Sequence, residues 1–343
     1  MDTFLQLPAD RRRRFCEEAQ AVLGLPAESI EKDFWVCWTL RELCALPGIG
    51  TQLTFKGGTS LSKCWKLIER FSEDIDLVVD REALGFGGDN APQQSGISGK
   101  ERERRLEALK MASQNHVRKI LKPALAEVLQ RNLTANLPWT LDEETSPDGG
   151  ITLVFTYPSV FPPRPGLVPK VKIEPGARSD IEPNETPEIS TYLEQALPQA
   201  VLAAPFAVRT VAPQRTFWEK AMLLHEETYR DAGGGLKSGL SRHYYDLHCL
   251  IKAGVATKAA ADLELFERIA AHRAVFFRKK KAAQESLQPG TLRLLPNDNC
   301  LAAWKQDYEK MRGFYFFGEP PKFDEIMREV GAFEKQFNQA STA

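Results

Sequence analysis

Two aspartates in the segment SEDIDLVVD, Asp74 and Asp76, stand two positions apart in a pattern typical of a strand. At a rise of about 3.3 Å per residue, their side chains would leave one face roughly 6.6 Å apart at the backbone. Repulsion between such carboxylates requires a cation, and hard oxygen ligands suit Mg²⁺ with substrate phosphate filling other positions. The apolar Ile75 and Leu77 would face the core. Because the tripeptide is common, an exposed edge strand with two solvated aspartates is the alternative interpretation.

A glycine turn, Gly57-Gly58, lies between an apolar strand and the start of a predicted helix. Glycine permits positive φ and close approach of another group. Thr59 and Ser60 add hydroxyls at the helix N-terminus, where free N–H groups and the helix dipole favour phosphate. The turn therefore indicates a phosphate site next to the two acids, although an ordinary capped turn has the same composition.

A third element is the segment VPKVKIEPG, in which charged and apolar residues alternate as in a strand. Glu174 would complete a trio of metal-binding carboxylates with Asp74 and Asp76. Lys172 would lie beside Glu174 on the same face, where its charge would neutralise phosphate. A structural pairing of lysine and glutamate on a solvated strand is the alternative.

The elements that must position these residues follow from hydrophobic periodicity and from the glycines and prolines. We predict helices within 9–46, with a break at Leu25-Pro26, followed by a strand at 52–55, a helix at 60–71 and a strand at 72–80. A mobile glycine-rich loop at 85–99 then precedes a long amphipathic helix at 100–131, which Pro123 kinks or splits. The remaining elements are strands at 151–160 and 168–176, a loop at 178–200, and helices from Pro213 onward. This order indicates an α/β core followed by an α-helical domain.

The composition of the 343 residues is that of an ordinary globular protein. Lysine and arginine total 45 against 46 acidic residues, a net charge of −1, which argues against a strongly basic nucleic-acid coat protein. No stretch approaches the roughly 20 apolar residues of a membrane helix, and the N-terminus lacks the order of a signal peptide. The six scattered cysteines indicate reduced thiols and a cytoplasmic location.

The segment FKGGTSLSKCWKLIERFSEDIDLVV closely resembles the first motif of the AbiEii/AbiGii nucleotidyltransferase family. Its pattern of a GG(S/T) turn, a helix and R-x-SEDIDL stands intact here, with Arg70 as the arginine. Three later segments resemble the family's other motifs: VKIEPGARS with Lys172 and Glu174, RTFWEKAMLLH with Lys220, and SRHYYDLHCL with Arg242 and Asp246.

The resemblance implies an α+β fold: the mixed sheet of the nucleotidyltransferase fold with flanking helices, followed by an α-helical C-terminal domain. It places N-terminal helices at 1–50, the core at 51–205 with an insertion at about 85–131, and the helical domain at 206–343. It further implies the toxin of an abortive-infection or type IV toxin–antitoxin system, active in phage defence, with a cognate antitoxin encoded nearby.

The activity implied is Mg²⁺-dependent transfer of a nucleoside monophosphate from an NTP, such as GTP or CTP, to RNA such as tRNA, or to protein. Asp74, Asp76 and Glu174 would hold Mg²⁺ and act with Lys172 in catalysis. The nucleotide would contact Gly57, Gly58, Thr59, Ser60, Lys220, Arg242 and Asp246. By spacing alone, Arg242 and Asp246 share one helix face, which fits either a nucleotide contact or a surface ion pair.

Two other functions remain open at this point. One is a small-molecule nucleotidyltransferase of the antibiotic-modifying kind, which shares the glycine turn and the paired aspartates. The other is a non-catalytic nucleotide- or RNA-binding module, which would be expected to have lost Asp74, Asp76 or Lys172.

Two basic runs, Arg11–Arg14 and Arg278–Lys281, would suit a surface that contacts RNA phosphates, although solvated helix faces have the same composition. His225, His243, His248 and His272 are expected to serve helix packing or capping and to bind no metal.

Overall fold

The computed structural model describes residues 2–133, 137–146, 149–163, 167–200, 204–230, 235–277, 280–312 and 316–340. Its contacts divide the chain into two compact units. Met1–Cys64 and Ser72–Thr210 form the first, and Trp65–Phe71 and Val211–Ala343 form the second. The linear division predicted at about residue 205 does not include this short excursion of the chain at 65–71.

The first unit combines seven helices with nine short strands among its described residues. The helices are α1 (Asp2–Gln6), α2 (Ala9–Leu23), α3 (Ala27–Ala45), α4 (Gly57–Lys63), α5 (Gly99–His116), α6 (Lys122–Asn132) and α7 (Tyr192–Ala196). The strands are β1 (Leu53–Lys56), β2 (Asp74–Val79), β3 (Thr140–Thr145), β4 (Ile151–Thr156), β5 (Lys170–Gly176), β6 (Asn184–Glu185), β7 (Glu188–Ile189), β8 (Phe206–Ala207) and β9 (Thr210–Val211), the last ending in the second unit.

Seven of these strands form one mixed sheet in the order β3-β4-β5-β2-β1-β9-β6. The central strand β2 runs antiparallel to β1 and parallel to β5. The strands β7 and β8 form a separate pair. The mixed sheet with its helices confirms the predicted α+β class.

Helix α3 supplies most of the helical side of the core. Trp35 and Trp38 are fully buried and approach the ring of Phe155 on β4, with centroid distances of 5.8 and 6.2 Å. The apolar face of the sheet, including Ile75 and Ile173, belongs to the same buried cluster. Burial extends around the whole helix rather than along one stripe, because even charged residues near its start are buried.

The predicted long helix at 100–131 forms as α5 and α6 with a π-helical turn, Val117–Leu121, between them. Pro123 explains the interruption, since proline lacks the N–H that would bond one turn back and its ring crowds the preceding carbonyl. The glycine-rich loop at 85–99 has little regular structure, as predicted. The loop is nevertheless held to α5, because Arg105 donates to the Ala91 carbonyl at 3.1 Å and to the Gln94 side chain, at Oε1, at 2.8 Å.

Two predictions of secondary structure were wrong. The helix expected at 60–71 ends at Lys63, and Lys66 adopts a left-handed φ of 52°, which a continuing helix cannot accommodate. The expected loop at 178–200 contains the short elements β6, β7 and α7. Strand β3 also went unpredicted, because its sequence TLDEET is mostly polar and none of its residues is fully buried.

The second unit is helical, as the sequence predicts. Its helices are α8 (Pro213–Thr228), α9 (Arg242–Lys252), α10 (Val255–Ala261), α11 (Leu263–Phe276), α12 (Lys281–Glu285), α13 (Asp298–Arg312) and α14 (Phe323–Ala340). The segment Trp65–Phe71 joins this unit: the Glu69 backbone N–H donates to the Tyr245 hydroxyl at 3.2 Å, and Arg70 forms an isolated antiparallel β-bridge with Phe316. Within the described ranges, no helix has the length and apolar character needed to cross a membrane.

Candidate active site

The predicted acids stand together on the polar face of the central strands. In β2 and β5, polar side chains alternate with buried apolar ones. Asp74 is in register with Lys172, and Asp76 with Glu174. Because paired residues of neighbouring strands project to the same face, all four side chains leave the sheet on one side.

The glycine turn lies directly against Asp76. Gly57 has a φ of +83°, and a Cβ placed on it would come within 2.1 Å of Asp76 Oδ2. A side chain at this position would therefore meet both backbone strain and the carboxylate itself. The turn and the acid are adjacent, as the sequence-based hypothesis requires.

The hydroxyls of the turn have structural partners in this conformation. Thr59 Oγ1 donates to the Asp74 carbonyl at 2.6 Å and lies 2.8 Å from Ser72 Oγ. Ser60 Oγ donates to the Gly57 carbonyl at 2.8 Å. Both side chains are buried, so they hold the turn and the start of β2 in place. Gly58 lies with them in the first turn of α4.

Sequence reasoning missed a lysine on this face. Lys56, the last residue of β1, is in register with Asp76, which in turn is in register with Glu174. The row therefore reads lysine, aspartate, glutamate across three strands. Lys56 Nζ donates to Ser179 Oγ at 2.7 Å. Its position directly before the glycine turn, where we predict a phosphate site, was the available signal.

The donor set fits a magnesium ion held by few protein ligands. Asp74 and Asp76 supply carboxylate oxygens, whereas the described residues contain no group of three or more His, Cys, Asp or Glu side chains arranged to hold a metal. Magnesium usually binds through one or two carboxylates, several waters and substrate phosphates rather than a cage made only of protein. The two aspartates suit such a site, and Glu174 is the neighbouring acid in the same row.

Lys172 has an acidic neighbour on the other side. Its Nζ lies 3.8 Å from Glu144 of β3, and both side chains are about half exposed. An exposed pair at this separation contributes little to stability. The contact therefore leaves Lys172 available for a phosphate.

The second unit contains the other predicted nucleotide-binding residues, and two of them form a buried ionic cluster. Asp246 of α9 accepts two hydrogen bonds from Arg70, at 2.7 and 2.9 Å, and lies 2.8 Å from Nζ of Lys220 on α8. Arg242 is exposed. Asp246 is buried and pairs with Arg70 and Lys220, instead of forming the surface ion pair with Arg242 that was one of the two alternatives.

The pKa shifts in this cluster follow from burial and from its charges. Burial opposes ionisation of Asp246, but Arg70 and Lys220 lower its pKa below the ordinary value. Burial lowers the pKa of Lys220, and Asp246 counters that effect. The pKa of His243 falls well below 6.5 through burial and the neighbouring Lys220 and Arg242, so His243 stays neutral.

The other histidines make packing contacts, as expected. His225 Nδ1 accepts from the Arg293 backbone at 2.9 Å. His248 Nδ1 lies 2.9 Å from Glu329, and His272 stacks on Phe276 at 4.4 Å.

The side chains of the basic run Arg11–Arg14 take part in packing more than predicted. Arg12 is buried, and the Arg13 guanidinium lies over the Phe161 ring at 5.0 Å. Amphipathic packing of α2 explains why this run does not form a continuous basic surface. The run Arg278–Lys281 falls partly outside the described residues, at 278 and 279.

Comparison with known proteins identifies the family. A family model described as "Nucleotidyl transferase AbiEii toxin, Type IV TA system" matches residues 38–329. A comparison with curated protein sequences found no significant match.

Similar solved structures include JHP933 from Helicobacter pylori, at 13% identity and a TM-score of 0.43, covering 91% of this chain and 94% of that one. Another is MenT4, a nucleotidyltransferase toxin from Mycobacterium tuberculosis H37Rv, at 16% identity and a TM-score of 0.42, covering 95% and 99%. The family model matches most of the chain, and by that match the protein belongs to the AbiEii family of type IV toxin–antitoxin systems and is a nucleotidyltransferase.

Proposed function

We propose that this nucleotidyltransferase moves a nucleoside monophosphate from an NTP to an acceptor hydroxyl, with RNA such as tRNA as the acceptor, and so acts as a toxin. The observation that carries the proposal is the close approach of Asp76 to the Gly57 turn, within the row Lys56–Asp76–Glu174. A sheet face that concentrates acids against a glycine turn has no evident folding benefit, because like charges repel.

In the proposed reaction, the acceptor oxygen attacks the α-phosphorus of the NTP. The bond from that phosphorus to the bridging oxygen breaks, pyrophosphate leaves, and the hydroxyl proton passes to a base or to water. Mg²⁺ held by Asp74 and Asp76, with Glu174 beside them, would screen the phosphate charge and stabilise the attacking and leaving oxygens.

The protein's own part is positioning and charge neutralisation. Gly57 lets the turn lie against the Asp76 carboxylate, since any side chain there would collide with it. Lys172 and Lys56 add positive charge to the same face. Thr59 keeps the turn and the start of β2 at a fixed separation through its bond to the Asp74 carbonyl.

Lys220, Arg242 and Asp246 are proposed as the nucleotide-binding residues of the second unit. Two cations, Arg70 and Lys220, share the single carboxylate of Asp246. The surplus positive charge of this trio suits a triphosphate better than a neutral ligand. In this role Asp246 orients Lys220, and the exposed Arg242 provides a further cation on the same helix.

The central experiment supplies each labelled NTP in turn, with Mg²⁺ and total RNA, to the purified chain. We expect label to pass to tRNA with one preferred nucleotide, GTP or CTP, and Asp76→Ala to abolish the transfer. Asp142→Ala is the matched control, because Asp142 is an exposed aspartate of the edge strand β3. Label on protein or on a small molecule, or equal transfer by wild type and Asp76→Ala, would contradict the proposal.

The toxin function has its own test in growing cells. Expression of the wild-type chain should arrest growth, and Asp76→Ala should not. Co-expression of the antitoxin encoded nearby should restore growth, as a type IV system implies. Equal growth of cells carrying either variant would exclude toxicity by this site.

A further inference from the structure

Helix α3 carries three consecutive charged residues that are almost fully buried. Glu31, Lys32 and Asp33 are 1%, 0% and 5% exposed. Consecutive helical residues point about 100° apart, so each of the three side chains reaches a different part of the first unit. Burying a charge is unfavourable unless it is paired, and apolar residues of similar size would often be as stable. The triplet therefore needs a reason other than stability.

Lys32 connects the starts of two strands that carry the candidate site. Its Nζ forms an ion pair with Glu73 and donates to the Val168 carbonyl at 3.0 Å. Glu73 directly precedes Asp74, and Val168 stands two residues before the start of β5. One buried ammonium group thus holds the chain at the entry to β2 and at the entry to β5.

The register shows why that connection matters. Asp74 and Lys172 are partners in the parallel pairing of β2 and β5. Near the ends of a sheet, strand entries fray unless side chains hold them. The contacts of Lys32 fall one residue before Asp74 and four residues before Lys172.

Asp33 makes a parallel connection to the glycine turn's helix. It pairs with Lys63, the last residue of α4, at 2.6 Å and accepts from the Tyr192 backbone at 2.7 Å. Helix α4 begins at Gly57, so this pair holds the far end of the element that presents the turn. Glu31 instead accepts from the Val160 backbone at 2.8 Å, in the chain after β4. That contact involves neither β2 nor β5.

We propose that Lys32 is a positioning residue for nucleotidyl transfer, which aligns the first residues of β2 and β5 so that Asp74 takes its metal-binding position beside Lys172. The inference rests on the proposed function for its catalytic consequence. It concerns a residue that touches neither substrate nor metal and acts through Glu73 and Val168.

The test removes the ion pair without leaving an unpaired buried charge. In Lys32→Met/Glu73→Met both charges are replaced by apolar groups of similar length, so the fold should be retained, as a melting temperature near the wild-type value would show. We expect the Mg²⁺ concentration for half-maximal transfer to rise about tenfold and kcat to fall, with a smaller change in the KM for the acceptor, because the metal-binding strand entry loosens.

A second readout does not depend on turnover. Titration with Mn²⁺ in the presence of a non-hydrolysable NTP analogue, followed by electron paramagnetic resonance, should show the same tenfold weakening. Glu31→Gln is the matched control, since it changes a buried charge one residue away. It should lower the melting temperature and leave the affinity for Mn²⁺ unchanged.

The outcomes separate the two proposals. Wild-type affinity for Mn²⁺ in Lys32→Met/Glu73→Met, or an equal loss in Glu31→Gln, would overturn the positioning role. A wild-type chain that binds Mn²⁺ with the analogue but transfers no nucleotide would overturn the proposed function and leave the Mn²⁺ comparison valid. If the double variant does not fold, Glu73→Gln keeps the test available: its side chain is 29% exposed, and it should weaken Mn²⁺ binding in the same direction.

Discussion

Two sets of buried ions in this chain are paired in different ways. In the first unit, two pairs are matched one to one: Lys32 with Glu73, and Lys63 with Asp33. The second unit has a matched pair of this kind in Arg273 and Glu226, but there Arg70 and Lys220 share one carboxylate, that of Asp246. Matched pairs leave no net charge, whereas the shared carboxylate leaves one positive charge in excess.

The difference separates a structural use of buried charge from a use suited to ligand binding. A matched ion pair gains nothing from an added anion, because each ion already offsets the desolvation cost of the other. An unbalanced trio of charges is more favourable when an anion approaches. Four changes would test this contrast, and we order them by the expected loss in free energy of unfolding.

Asp246→Asn should have the largest effect, about 4 kcal/mol, because it leaves Arg70 and Lys220 buried without a carboxylate. Urea denaturation followed by tryptophan fluorescence would measure it. Asp142→Asn, at an exposed position, should change almost nothing. A loss below about 1 kcal/mol for Asp246→Asn would mean that the trio does not depend on its carboxylate.

Lys63→Met should cost about 3 kcal/mol, since Asp33 would stay buried with the Tyr192 N–H as a remaining donor. Adding Asp33→Asn should recover most of the loss, because the orphaned charge is then removed. The same denaturation experiment measures both. A double variant as unstable as Lys63→Met alone would show that the pair's geometry, not its charge balance, stabilises the first unit.

Acidic pH should weaken the second unit through His243. Its folded pKa is well below 6.5, so the unfolded chain binds the extra proton first and stability falls as pH drops through about 6.5. Between pH 7.5 and 5.5 this group should lower the free energy of unfolding by at most about 1.4 kcal/mol. His225 is also shifted downward by burial, so His243→Gln serves as the reference. If the wild type and this variant lost equal stability between pH 7.5 and 5.5, His243 would not be the cause of the loss.

Lys220→Met should cost the least, under about 1 kcal/mol, because Arg70 still pairs with Asp246 and one buried cation is gone. Nucleotide affinity, measured by calorimetry, should fall at least tenfold in the same variant. A large loss of stability with unchanged affinity would reverse the contrast, since Lys220 would then be structural.

The site face could be predicted from sequence because alternation fixes it. In β2 and β5, polar residues alternate with buried apolar ones, so the period of two assigns Asp74, Asp76, Lys172 and Glu174 to a face. The register that places Lys56 beside Asp76 could not be predicted, since it depends on pairing between strands distant in sequence. Whether these residues act on a nucleotide stays a prediction.

Buried charge was the main feature that sequence reasoning missed. The usual rule places Glu, Lys and Asp outside, so the sequence gives no indication that Glu31, Lys32 and Asp33 are buried at the start of α3. Their partners, for example Glu73 and Lys63, are distant in sequence, so no local spacing predicts these ion pairs. The end of α4 was missed for a related reason, because the residues after Lys63 fit a helical pattern but find their contacts in the other unit.

The excursion of Trp65–Phe71 into the second unit has a practical consequence for dissecting the protein. A fragment cut near residue 205 would contain every helix from α8 onward but would lack Arg70. In that fragment Asp246 would keep Lys220 and lose the two bonds from the guanidinium. The helices from α8 onward are therefore not a separable module, because a fusion or truncation that leaves out Trp65–Phe71 would also remove the buried Arg70 from the second unit.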